Sequence, residues 1–338
     1  MGVDFSNVAA LRQKVESGTM LPTELAIETV FGCNAKCTMC FIDAPTARQK
    51  RVMKPELYRY IVDFMEPYRN GLEKFDLWCL GEPMIDPHIV SRVDYAKKKG
   101  FPNMALATNA DMLDEVGAQG LLDAGVDTVI ISIDAINPET HAKIRRGLDY
   151  ARVVENCERI IALRDKGNYQ TRFLFRFVAQ DENKREWPAF RNYWGEQVSE
   201  ARKDNVVKYP AHNWGGYTGD KMTMLGSRYS EEIERAPCKY VFESLLILAD
   251  GTLTLCPADF LEGQFGLGKV PDLTPIEAFN SPEYKRHRHL HLAGEKNQIK
   301  LCETCTILYS NNGREYLWEQ KTHTFRRVEG KKTVAGAS

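Results

Sequence analysis

From about Thr23 to Trp214 the sequence alternates short β-rich runs with amphipathic stretches of helical period, six times over. That alternation is the signature of repeated βα units around a parallel sheet, because a parallel neighbour is reached only through a long crossover, usually a helix. The runs read ELAIETV (24–30), KFDLWCL (74–80), NMALAT (103–108), DTVIISID (127–134), RFLFRFVA (172–179) and NVVKYP (205–210). Helical patterns fill the gaps, such as PELYRYIVDFMEPYR with Pro55 in its first turn and EVGAQGLLDAG stopping at Gly125. Six units fall short of the eight that close a barrel. The expectation is therefore an α/β fold, a partial (β/α)6 TIM-like barrel with its functional groups at the C-terminal ends of the strands. After Trp214 the texture changes: Gly-rich NWGGYTGDK leads to short strands SLLILAD and LTL around the turn DGT, then to a helix near TPIEAFNSPEYKRHRHL. The expected division is a lead-in over 1–22, the barrel over 23–215, a small C-terminal α+β module over 216–318 and a tail over 319–338. The end of that tail, KKTVAGAS, reads as disordered.

Lysine and arginine nearly balance aspartate and glutamate, giving a formal charge of −1, so no overall field draws the chain to nucleic acid or an anionic membrane. The first residues lack the basic start and apolar run of a secretory signal, and no stretch approaches the ~18 apolar residues of a membrane span. A soluble cytoplasmic protein is expected. Disulfides rarely persist in that compartment, so clustered cysteines point to metal or redox chemistry. The nine cysteines fall into two groups, Cys33, Cys37 and Cys40 in CNAKCTMC, and Cys238, Cys256, Cys302 and Cys305, with Cys79 and Cys157 standing alone.

A 4Fe-4S cluster is normally held by four thiolates, so three on one loop leave an iron open to a small chelating ligand. Zinc is the rival, although its sites usually need a fourth residue and a distant second pair. The second group, ending in CETC, suits one closed cluster and a zinc ribbon about equally.

CNAKCTMC resembles the C-x3-C-x2-C loop of the radical S-adenosylmethionine (radical SAM) superfamily, whose open iron is chelated by the methionine part of SAM. Further motifs arrive in that family's order. LGEPMID resembles its GEP-type motif, which implies contact of Gly81, Glu82 and Pro83 with the SAM amino group. ATNAD resembles the T-N-G segment, with Ala110 in place of glycine and Thr108 and Asn109 as polar candidates. ISIDAINPETHAKIRRG resembles the fourth-strand segment, implying Ser132 and Asp134 at the SAM ribose and Arg145 at its carboxylate, with Arg146 as the adjacent rival. Met39 stands where the family often has an aromatic, which implies a thioether contact to adenine. PCKYVFESLLILADGTLTLCPADF, AFNSPEYKRHRHLHLAG and CETC resemble the SPASM/twitch extension. With four cysteines the chain resembles the shorter twitch form, implying one auxiliary 4Fe-4S cluster. The resemblance covers roughly residues 23 to 310 and implies a reductant such as flavodoxin or ferredoxin.

Bland readings compete at several positions. Cys79 is a candidate hydrogen donor, but a cysteine on a buried strand is more often a small apolar filler, and Cys157 belongs in a helix core. The histidines of HRHLHL, two apart, spread over different helix faces and read as solvated or packing surface. His212, Asn213 and Trp214 follow the sixth strand and face either the adenine or substrate side or a closing loop. Arg176, a charge amid apolar residues, must face the lumen or pair with a carboxylate, and a lumen arginine can hold an anionic substrate group. Tyr217 and Asp259 are weaker candidates for a base. The short N-terminus leaves no room for the peptide-gripping domain of many relatives, which favours a small molecule. Similar short members modify sugars, aminocyclitols and sugar nucleosides in bacterial natural-product pathways. The expected step is hydrogen abstraction from a carbinol carbon of a sugar-like substrate, followed by oxidation, decarboxylation of a uronate or epimerisation. Peptide maturation and a non-catalytic metal-binding scaffold are the alternatives.

Overall fold

The computed structural model describes residues 3–217, 235–254, 256–261 and 267–307, and the backbone of the strands Tyr316–Glu319 and Thr324–Arg327. The predicted strands form one sheet: β1 (Glu24–Ile27), β5 (Lys74–Asp76), β6 (Met104–Thr108), β7 (Thr128–Ser132), β9 (Arg172–Ala179) and β10 (Asn205–Pro210). Their order is β10-β9-β7-β6-β5-β1, and every pairing among them is parallel. On β9 every second residue is buried among the helices while Arg172, Leu174, Arg176 and Val178 face inward, the period of two that a strand imposes.

The sheet does not end at β1. Strand β11 (Ser244–Ile247), read from sequence as part of a separate module, pairs parallel with β1 from Glu24↔Ser244 to Ile27↔Ile247. Strand β12 (Leu253–Thr254) returns antiparallel beside it. All four residues of β11 are buried, which explains why SLLI reads as a continuous apolar run.

Four of the six predicted strands are shorter than their runs, most of all the first two, which end at Ile27 and Asp76. The first breaks after Ile27 because Glu28 turns inward, and Val30–Phe31 (β2) then pairs antiparallel with Arg51–Val52 (β4). Glu28 is fully buried against Arg48 and accepts the Ala249 N–H at 2.9 Å, a latch from the barrel to the segment after β11. The long helical reading over TPIEAFNSPEYKRHRHL resolves into two helices, Pro275–Phe279 and Pro282–Leu292, each opened by its own cap, Thr274 and Ser281, with proline in the first turn. The segment KKTVAGAS lies outside the described residues.

The long helix Tyr150–Lys166 is tied to the outer strands by a buried ion pair, Arg164 to Asp204 at 2.6 Å. Asp204 also accepts the N–H groups of Phe173 at 2.7 Å and Ser199 at 2.8 Å. Asp204→Ala would leave the buried guanidinium with only the half-exposed Asp165 carboxylate at 2.9 Å and open two backbone donors, so a loss of about 3 kcal/mol is expected in urea denaturation.

Candidate active site

The cysteine loop is fastened at four points. A two-residue strand, Lys36–Cys37 (β3), pairs antiparallel with Arg145–Arg146 (β8), setting Cys37 opposite Arg145. The Thr38 N–H donates to Ile144 O at 2.9 Å, and its hydroxyl to Gln180 Oε1 at 2.9 Å. The Trp214 indole N–H donates to Met39 O at 3.1 Å. Cys33, Cys37 and Cys40 then face one cavity of about 670 Å³ that fills the barrel lumen. Burial raises all three thiols, Cys33 to about 11 and Cys40 to about 12, with the neighbouring thiols adding to the effect. The Arg145 guanidinium lies 3.6 Å from Cys37 Sγ and acts in the opposite sense.

The GEP-type turn reaches this loop because residue 81 has no side chain. A Cβ on Gly81 would stand 2.4 Å from Val30 O and 2.9 Å from Gly32 O, and the Glu82 N–H donates to Gly32 O at 2.9 Å. Glu82 is buried in the cavity wall. Its carboxylate accepts from Thr108 Oγ1 at 2.7 Å, Asn109 N at 2.7 Å and Met84 N at 3.1 Å, and burial raises its pKa. Ala110 takes the left-handed conformation, φ +62°, that its glycine-like place demands. Pro83 is buried behind Glu82 as the first residue of a short turn. Gly81, Thr108, Asn109, Ser132, Arg145, Met39, Cys79, Arg176 and His212 all line the cavity.

Asp134, expected at a ribose, is instead fully buried beneath Arg145. One oxygen takes the Arg145 Nε at 2.7 Å and the other the Val178 N–H at 2.7 Å, so this carboxylate orients the arginine. Arg146 is exposed, which leaves Arg145 as the one of the pair at the cavity. Asn213 is also displaced from its expected role. Its amide donates to Thr304 O at 2.6 Å and accepts the Thr306 N–H at 2.9 Å, clasping the Cys302–Cys305 turn. Asp259 is fully buried on Thr254, and Tyr217 stacks on Phe41 at 5.2 Å, so neither joins the cavity-lining residues. His212 does, with burial and Arg176 lowering its pKa to about 4, so the ring is neutral at pH 7. Arg176 is held by Ser132 Oγ, at 3.0 Å from Nε and 2.6 Å from Nη2. The Cys79 thiol is pushed well above its ordinary value by burial.

The sequence reading missed the polar scaffold of the loop. Asn109 Nδ2 donates to Asn34 Oδ1 at 2.8 Å, Asn34 Nδ2 to Asp111 Oδ2 at 2.9 Å, and Arg152 completes the chain on Asp111 at 2.6 Å. It also missed Asp76 and Trp78, which the period of two along KFDLW places on the lumen face. Burial raises Asp76 to about 7, only partly offset by Lys74.

The second cysteine group belongs to the C-terminal segment, whose Tyr240, Pro257 and Ile307 line the cavity together with Trp214. Burial raises all four thiols, Cys238 to about 12. Of the two readings of HRHLHL, solvated or packing surface, packing holds for His287 and His291, which are buried. His291 Nδ1 accepts the Cys238 N–H at 3.1 Å, which puts the ring proton on Nε2, 3.8 Å from Cys302 Sγ. Among the described residues no three thiol, imidazole or carboxylate ligands converge at the range of a single metal ion. Three thiols at a roomy cavity suit a cluster with one free corner, and a group of four thiols suits a closed one.

The model of the radical SAM superfamily matches residues 27–187, and that of the SPASM iron-sulfur cluster-binding domain matches residues 238–306. The chain belongs to the radical SAM superfamily. It carries a SPASM-type C-terminal module, and its cofactors are a 4Fe-4S cluster, SAM and auxiliary iron-sulfur. It is 28% identical over 137 residues to a probable GTP 3',8-cyclase of Methanocaldococcus jannaschii, covering 40% of this chain and 45% of that protein. It is 26% identical over 171 residues to a tungsten-containing aldehyde ferredoxin oxidoreductase cofactor-modifying protein of Pyrococcus furiosus, covering 50% and 47%. The chain thus spans about half the length of the curated relatives it matches. Among solved structures, BtrN in complex with AdoMet and 2-DOIA superposes with a TM-score of 0.58 at 15% identity, covering 85% of this chain and 93% of that one. Streptococcus suis SuiB bound to its precursor peptide SuiA gives 0.61 at 15% identity, covering 82% and 69%. These two likenesses concern the radical SAM and SPASM fold.

Asp76 gives the site a pH signature. Its pKa rises from the ordinary carboxylate value to about 7 on folding, so the stability it contributes is complete below about pH 4 and is lost as pH climbs to 7. Urea titrations should show wild type losing stability across that window and Asp76→Asn losing less.

Proposed function

We propose that the chain abstracts a hydrogen atom from a carbinol carbon of a small sugar-like substrate held in the barrel lumen, and that the outcome is oxidation to a ketone. The observation carrying this reading is one cavity lined both by Cys33, Cys37 and Cys40 and by Tyr240, Pro257 and Ile307 of the C-terminal module. Cys33, Cys37 and Cys40 would hold the SAM-cleaving cluster, and Cys238, Cys256, Cys302 and Cys305 the auxiliary one. When bound, the first cluster with SAM supplies a 5'-deoxyadenosyl radical.

The chain's own groups do the rest. Glu82 presents a fixed carboxylate for the SAM ammonium, and Arg145, oriented by Asp134, a guanidinium for its carboxylate. Ser132 offers a hydroxyl at the ribose and Met39 a thioether at adenine. Oxidation of a carbinol removes one hydrogen atom, one proton and one electron. Asp76, in the lumen with a pKa of about 7, is placed to accept the hydroxyl proton, a role first sought at Asp259 and Tyr217. The His291 Nε2–H aimed at Cys302, and the buried Lys296 ammonium acting on Cys238, Cys302 and Cys305, both favour added negative charge on that side. This favours electron uptake there and ranks oxidation above epimerisation, which would draw on Cys79, and above decarboxylation, which would place a carboxylate at Arg176. The fold shared with SuiB keeps a peptide substrate as the second reading. A flavodoxin or ferredoxin would serve as reductant.

The test is anaerobic reconstitution, reduction and addition of SAM to wild type and to Cys33→Ala/Cys37→Ala/Cys40→Ala. Wild type should hold about eight irons and form 5'-deoxyadenosine, and the triple variant about four irons and no product. Zinc in place of iron, or no SAM cleavage by wild type, would overturn the reading in favour of a scaffold. His291→Leu should move the auxiliary potential, read by potentiometric EPR, to more negative values.

A further inference from the structure

At the end of the lumen formed by the starts of the strands lie charged groups to which SAM cleavage gives no task. Arg172 and Arg176 occupy the same face of β9 and are separated by about 13 Å along the strand at ~3.3 Å per residue. Arg176 is engaged by Ser132. Arg172 has no carboxylate partner among the described residues, and its Nε is buried without a hydrogen bond. Arg172 is half-buried at the start of β9, and because a guanidinium cannot shed its charge, one that lines a cavity without a carboxylate partner favours an anion there. Asp76 does not provide it, because the charges acting on that carboxylate are those of Lys74 and Glu24. Across the lumen from β9, strand β5 contributes Asp76 and the Trp78 indole, while Ala105, Ala107, Thr128 and Ile130 on the strands between leave the floor open. The walls therefore present a cation on one side and a carboxylate with a flat aromatic face on the other.

We propose that this end of the cavity is a subsite for a polyol bearing a phosphate or carboxylate, its anion gripped by Arg172, its ring on Trp78 and a hydroxyl at Asp76. The assignment rests on the reading that the lumen holds the substrate. It orients the ligand with the anionic end toward Arg172 and the reacting carbon toward Ser132 and the cysteine loop.

The probes are glucose 6-phosphate, glucuronate and neutral glucose, titrated into the reconstituted, SAM-loaded protein by calorimetry. Wild type should bind one or both anionic sugars about tenfold or more tighter than glucose. Arg172→Gln should erase that preference, and Arg172→Lys should keep part of it. Tighter binding of glucose 6-phosphate assigns the subsite to phosphate, and tighter binding of glucuronate assigns it to carboxylate. Equal affinity for charged and neutral sugars in wild type, or an undiminished preference in Arg172→Gln, overturns the proposal. If Arg172→Gln fails to fold, as circular dichroism would show, the wild-type comparison and Arg172→Lys still decide. 5'-Deoxyadenosine formation is measured on wild type in parallel. Its absence would count against the radical reading while leaving the anion preference to stand or fall on its own.

Discussion

The parallel pairing of β11 with β1 is the constraint on which the site depends. Without it, the C-terminal cysteines would belong to a separate body whose placement relative to the barrel was open. With it, the strand leading into the first cysteine loop and the strand leaving Cys238 lie side by side in one hydrogen-bonded sheet. The buried Glu28–Arg48 pair reinforces the join, since Glu28 ends β1, accepts the N–H of Ala249 beyond β11, and Arg48 also donates to Phe260 O. Thr46 adds a bond to Leu261 O at 2.7 Å. Tyr240, Pro257 and Ile307 of the C-terminal segment thereby line the same cavity as Cys33, Cys37 and Cys40.

The loop itself is positioned mainly by backbone. Gly81 lets the turn after β5 press against Val30 and Gly32, and any side chain there would drive Glu82 away from the thiols. Gly147, at φ +93°, approaches Asn34 O in the same manner on the other flank, where a Cβ would lie 3.1 Å away. Such contacts tolerate no slack, so the thiols, Glu82 and Arg145 keep one mutual arrangement before any cofactor arrives. That is the preorganisation a radical enzyme requires, since a stray hydrogen-atom abstraction destroys the protein.

Much of this was legible in the sequence, and for identifiable reasons. Strands buried on both faces announce themselves as apolar runs, and a dense cysteine motif can be read without knowing the fold. Side-chain direction at the strand ends was not legible. Asp134 and Ser132 are two residues apart on one segment, yet Ser132 faces the cavity while Asp134, at φ +64°, turns beneath Arg145. Asn213 had only its place after β10 to recommend it, and the partner that claims it lies some ninety residues on, at Thr304 and Thr306. His291 was hidden because HRHLHL has a charged composition, whereas burial is decided by what the helix packs on. Asp76 was the discoverable omission, because the inward period of KFDLW runs Lys74, Asp76, Trp78, and a carboxylate on that face was a candidate base from the start.

The charge balance of the lumen explains why these omissions matter. Seven thiols raised by burial are protonated in the metal-free protein, so loading must release protons and bring in the positive charge of iron. The protein supplies cations beside each group, Arg145 near Cys37, and Lys296 near Cys238, Cys302 and Cys305 with Lys239 also acting on Cys238. Arg172 has no such thiol, nor a carboxylate, beside it. In a lumen where the other buried cations have been given an anion or a hydroxyl, an arginine without one marks the place of a charge the substrate brings with it.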